Sequence, residues 1–132
     1  YFLSDVCAMY EKKTFFNLNG FEAPIETNED MHIASKILRI GKKIRYEANA
    51  KVYHSHDSSF KEIFIRNYLI GKFLKKYKDD FPHSSTNKEG MNLVKKVTSQ
   101  LFQKGLIGEC ILFWMECGIK LLGNFFGKRS IY

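Results

Sequence analysis

Cysteine, proline and glycine-rich phosphate loops are all scarce in this chain. Its 132 residues include three cysteines and two prolines, with no Gly-x-Gly-x-x-Gly and no Walker loop. The cysteines are odd in number, lack C-x-x-C spacing and sit in apolar surroundings; Cys110 and Cys117 stand too far apart along one helix to bridge. That usage fits a reducing compartment, which places the chain in the cytoplasm. In the last predicted helix the longest unbroken apolar run is Cys110 to Met115, far short of the roughly 20 residues a membrane span requires. Helix-turn-helix, zinc-finger and aromatic RNA-binding patterns are absent, and the lysines are spread over three helices. The formal charge of +7 therefore does not by itself call for nucleic acid. The chain opens at Tyr1 with neither an initiator Met nor a signal peptide, and it reads as a piece of a longer protein.

What is present is globular: 45% hydrophobic and 15% aromatic residues can form a real core. The organising stretch runs from Asn28 to His56. Asn28 is a good N-cap, Glu29 and Asp30 fall in the first helical turn where the dipole favours negative charge, and Gly41 is a C′ stop. Helical geometry directs Asp30 inward, on the face of residues 34, 37 and 41, and Glu29 sideways. Ile44 and Tyr46 alternate in one short predicted strand. Ala50, Val52, His54 and His56 share one face of the next, which puts His54 on the buried side with Val52. The plain reading of the acidic pair is helix capping, and that of His-x-His is a polar strand end, since two ligands do not complete a metal shell.

Phe2 to Tyr10 reads as a strand buried on both faces, with Asp5 a charge inside it. A short helix over Lys12 to Asn17 stops at Asn19-Gly20, and Glu22 to Thr27 is a loop containing Pro24. Ser59 to Glu62 matches a capping box, after which an apolar stripe from Phe60 to Phe81 ends at Pro82; Arg66 is placed opposite Ile63 and Ile70. Pro82 to Asn87 is a linker. A basic helix follows over Leu93 to Leu101, then a last helix over Leu106 to Phe126. That helix carries Ile107, Ile111, Trp114, Gly118, Leu121 and Phe125 on one face and Glu109, Glu116 and Lys120 on the other. A core helix is the plain expectation for it. Phe113 and the closing Phe125 to Arg129 also suit an interfacial helix on anionic lipid.

Several of these segments, in this order, carry a resemblance: Ser4-Asp5-Val6-Cys7 with Tyr10-Glu11-Lys12, Asn19-Gly20-Phe21, Asn28-Glu29-Asp30-Met31, Gly41 to Ile44 and Ala50 to His56, with a weaker extension at Phe64 to Asn67 and Gly71. They resemble the second half of the catalytic domain of family-2 glycosyltransferases, inverting enzymes of GT-A fold, and among them bacterial rhamnosyltransferases of polysaccharide biosynthesis. The resemblance implies an α/β fold. Residues 1 to 57 would be the acceptor-side, C-terminal half of a nucleotide-diphospho-sugar transferase domain, with a few strands plus the Glu-Asp helix, and residues 58 to 132 a mainly α-helical tail. The family's Asp-x-Asp metal motif is missing, so the piece alone is expected to be inactive.

By the same resemblance, Asp30 is the general base of an inverting transfer, with Glu29 beside it. Asp5 and Asn28 would touch the acceptor, and His54, His56 and Arg66 the donor diphosphate, with His54 also a ligand of a divalent Mg or Mn ion. A solvated helix arginine is the plain alternative for Arg66. Implied partners are a nucleotide-sugar donor, rhamnose-bearing or otherwise, and a glycan or lipid-linked acceptor at the inner face of the plasma membrane, with peripheral contact to anionic lipid and no nucleic acid. Unpaired sheet edges would make the piece a homodimer. The rival reading is a non-catalytic, basic, membrane-peripheral helical module.

Overall fold

The computed structural model describes residues 4–55, 58–81 and 86–130. Its regular structure there is helical: α1 (Lys12–Asn17), α2 (Glu29–Arg39), α3 (Phe60–Lys76), α4 (Thr86–Gln103) and α5 (Ile107–Arg129), with 3-10 turns at Asp5–Cys7 and Lys78–Asp80. Among the described residues there is no β-strand.

Helix ends follow from local chemistry. The Ser59 hydroxyl accepts from the Glu62 amide while the Glu62 carboxylate accepts from the Ser59 amide at 2.7 Å, which satisfies two donors at the start of α3. Gly41, at φ +77°, ends α2 with its N–H donating to the Leu38 carbonyl and that of Lys42 donating to Ile37, a pairing that needs the left-handed conformation. Gly105 ends α4 in the same way, with its own N–H donating to Phe102 and that of Leu106 to Leu101. The stops expected from Asn19-Gly20 and Gly41 are therefore present, and Asn19 itself is left-handed.

The helices are joined in two different manners. Glycines form the seam between α3 and α5. A Cβ added at Gly127 would overlap the Tyr68 carbonyl, and one at Gly123 would lie 2.6 Å from that of Phe64. Gly71 meets the same seam from α3, against Asn124 and Gly127. The register rises together along both helices, from Phe64 opposite Gly123 to Tyr68 opposite Gly127, so the two run in the same direction. The Tyr68 hydroxyl donates to Ser130 Oγ at 2.8 Å and Lys75 Nζ to the Ser130 carbonyl at 3.0 Å, which closes the far end. Alongside, Trp114 Nε1 donates to Thr98 Oγ1 of α4. By contrast, α2 meets the end of α3 through rings and charges, as described below.

This architecture overturns the α/β expectation. The predicted strand over Phe2 to Tyr10 is instead a 3-10 turn with Asp5, Val6 and Cys7 exposed. Residues 42 to 55 form no ladder; Val52 and His54 are exposed, and only Ile44 is half-buried. Alternation makes a strand only when a neighbouring strand accepts its backbone bonds, and none of the described residues offers one. With the sheet edges gone, the reason given for a strand-exchanged dimer also goes. His56, Asp57, Phe2 and Pro82 lie outside the described residues. Helix α4 runs longer than expected at both ends, with the predicted linker residues Thr86 and Asn87 already in it, and α5 runs longer at its C-terminal end.

Candidate functional site

Of the acidic residues singled out from sequence, Asp5 bonds Tyr10 directly, and the charges of Asp30 and Glu29 reach the same phenol. Its ring packs 5.1 Å from Phe15 and 5.9 Å edge-on from Phe21, and its hydroxyl donates a short hydrogen bond to Asp5 Oδ1. Burial pushes the Tyr10 phenol well above its usual range. The Asp5 hydrogen bond and charge add to this, and the charges of Asp30 and Glu29 raise it further. Three carboxylates from two segments, the turn at Asp5–Cys7 and the start of α2, thus act on one phenol. Tyr10 is fixed as a proton donor there. No role was foreseen for it, although it belongs to the resembling Tyr10-Glu11-Lys12 segment and stands five residues after Asp5 beside a cluster of phenylalanines.

Asn28 occupies the N-cap position but works otherwise than expected. Its backbone is left-handed at φ 61°, its side chain makes no cap bond, and it links Thr27 Oγ1 to Met31 Sδ. Asp30 takes the donor instead: its Oδ1 accepts from the Met31 amide at 2.7 Å. Asp30 and Glu29 are both half-buried, so the inward and sideways assignments do not separate them. The fully enclosed part of α2 is His32 to Ser35.

A second cluster was not anticipated. His32, 4% exposed, lies between Glu22 (3.7 Å from Nδ1) and Asp80 (3.5 Å from Nε2), with the Tyr77 ring at 4.4 Å. Lys36 pairs with Glu22 at 2.9 Å and Arg39 with Asp80 at 2.6 Å. Burial holds the His32 imidazole below its usual range, and Lys36 reinforces this against the opposing pull of Glu22 and Asp80. The cluster ties the loop at Glu22, the helix α2 and the end of α3 together. The one available signal was the i, i+4 placement of His32 and Lys36 on a common face.

Of the expected diphosphate contacts, His54 and Arg66 lie among the described residues and His56 does not. His54 is exposed on an irregular segment. Arg66 lines a groove of about 490 Å³ between α3 and α5, with Ser58, Asn67, Glu116 and Lys120. Ile63 and Ile70 line the same groove, so Arg66 is not opposite them; positions i, i+3 and i+7 share one face of a helix. Among the described residues no group of three His, Cys, Asp or Glu side chains could hold a metal ion; the expectation for His54 is to complete a shell whose main ligands come from outside this chain.

Against this geometry stands one similarity in sequence. The chain is similar to O-antigen chain rhamnosyltransferases. It is 38% identical over 72 residues to RfbN of Salmonella typhimurium and 36% identical over 72 residues to WbaN of Salmonella anatum. Each match takes in 54% of this chain and 23% of the relative, so the chain spans about a quarter of the length of the curated relatives it matches. The relationship is glycosyltransferase-like. No family model and no solved structure matches the chain.

Proposed function

We propose that this chain is the acceptor-handling part of a larger glycosyltransferase that moves a sugar from a nucleotide-sugar donor to a glycan or lipid-linked acceptor with inversion. The observation that carries this reading is the convergence of Asp5, Glu29 and Asp30 on Tyr10 in a chain related to rhamnosyltransferase-named proteins. In this reading the Asp30 carboxylate takes the proton of the acceptor hydroxyl as that oxygen bonds to the anomeric carbon. The bond from that carbon to the nucleoside diphosphate breaks on the opposite face. The Met31 amide holds Asp30 Oδ1, which orients the other oxygen for the acceptor. Tyr10, kept protonated, donates to Asp5 and fixes it as an acceptor-side hydrogen-bond partner, with Glu29 and Asn28 at the rim. Rhamnose is the donor sugar suggested by the relatives' names.

The test is nucleotide-sugar-dependent transfer by the complete transferase, wild type against Asp30→Asn. A fall on the order of 10²- to 10⁴-fold with donor binding retained is expected for loss of a general base. Unchanged turnover would reduce Glu29 and Asp30 to charges at a helix start.

A further inference from the structure

Helix α5 is built inside out for a water-soluble bundle. Viewed along its axis, the glycines that touch α3 lie on the same side as Glu116 and Lys120, joined there by Leu112 and Phe113, and most of the other large apolar residues lie away from them. Ile107, Ile111, Trp114, Leu121, Leu122 and Phe125 fall within an arc of roughly 100°, and each is exposed, Leu121 by 72%. The helix is long and apolar enough to cross a membrane by length and composition, yet only 17% of its most apolar window is buried in the fold. The expected core helix therefore turns most of its apolar face away from α3, and Trp114 on that face is tied to α4 through Thr98.

Three features say what covers that face. Cations stand at both ends of the helix: exposed Lys104 just before it, and exposed Lys128 and Arg129 in its last turn. The Arg129 guanidinium lies over the Phe125 ring at 4.1 Å, so a positive charge sits on the margin of the apolar surface itself. A net charge of +7 on each copy opposes pairing of two such faces and favours an anionic surface. Crossing the bilayer is disfavoured because α5 is locked through its glycines to α3, which carries Lys61, Glu62, Arg66, Lys72, Lys75 and Lys76 and would have to enter with it. We infer that α5 lies in the plane of an anionic lipid surface, its Trp114 to Phe125 face sunk among the acyl chains and its terminal cations among the headgroups. This does not depend on the transferase reading.

The single tryptophan, Trp114, stands at the edge of the proposed lipid face, its N–H held by Thr98 of α4 and its ring still exposed, and reports on that face. The 132-residue chain is mixed with vesicles of phosphatidylethanolamine and phosphatidylglycerol, with phosphatidylcholine vesicles alongside, and followed by flotation and by Trp114 emission with brominated-lipid quenching. The expected result is flotation with the anionic vesicles only, a blue-shifted and quenched Trp114, and a loss of binding of about tenfold or more in Leu121→Glu. Lys128→Glu with Arg129→Glu, which leaves the apolar face intact, is expected to weaken binding and its salt dependence together. Circular dichroism confirms that each variant is folded. Absence of flotation, flotation with neutral vesicles that salt does not alter, or a concentration-dependent blue shift without vesicles would overturn the inference. The last two outcomes would mean, respectively, a protein-covered face left bare and a second copy of the chain.

Discussion

The two halves of the molecule are held by opposite means. Residues 4–55 are fastened to one another and to the turn after α3 by side-chain charge: Lys42 reaches Glu11 at 3.0 Å, Lys36 reaches Glu22, and Arg39 reaches Asp80 of that turn, around one buried histidine. The helical half is fastened by backbone approaching backbone, where three glycines let α3 and α5 touch. Charge contacts tolerate small displacements and respond to pH, whereas a glycine seam tolerates no added atom. The acidic site sits in the first kind of structure and the exposed apolar helix in the second, so the part that would handle polar acceptors and the part that would meet lipid differ in how they can be disturbed.

That contrast can be broken most sharply at the seam. Gly127→Ala is expected to cost about 1–3 kcal/mol, because its Cβ meets a carbonyl on a helix rather than the end of a mobile side chain. Thermal unfolding measures it, and an unshifted midpoint would mean that the helices separate freely. Next in size is Asp80→Ala, which removes the partner of Arg39 and one neighbour of His32. Loss of roughly 1.5–2 kcal/mol is expected, as for hydrogen bonds to charged groups. Denaturant melts would show it as a lower midpoint at constant slope.

Ser59→Ala strips the cap of α3 and is expected to cost about 1 kcal/mol, with Ser59→Gly losing only a few tenths. Helical content followed against temperature separates the two.

The smallest effect sharpens the comparison through pH. Because burial lowers the folded-state pKa of His32, the unfolded chain binds more protons between that value and the ordinary one near ~6.5. The associated stability is present above that ordinary value and is lost as pH falls below it toward the folded value. Melting midpoints taken downward from neutral pH should decline, and His32→Gln should flatten that decline. A midpoint equally sensitive in the variant would place the titrating group elsewhere.

The elements were legible where a residue's own backbone chemistry decides the outcome. Lys12–Asn17, the Gly41 stop and the Ser59–Glu62 box all stand where the residues placed them, since caps and stops are settled within one turn of chain. The gathering of Asp5, Glu29 and Asp30 was anticipated only as roles borrowed from a resemblance, and the phenol that joins them was missed. The strands failed because alternation at Ile44, Tyr46, Val52 and His54 describes a preference that needs a partner elsewhere in the chain. Arg66 was misplaced by an error of helical angle, not by any want of information.

By itself, then, the sequence determined the extent of α1, the stop of α2 and the start of α3, how much apolar surface α5 carries, and the sign of the charge at its ends. Only tertiary structure decided which side of α5 faces the protein. Amphipathic pattern ranks the faces of a helix by polarity, but contact with α3 was settled by closeness of approach, and glycines allow a closer approach than leucines or phenylalanines. The apolar face was left outside by geometry rather than by hydrophobicity.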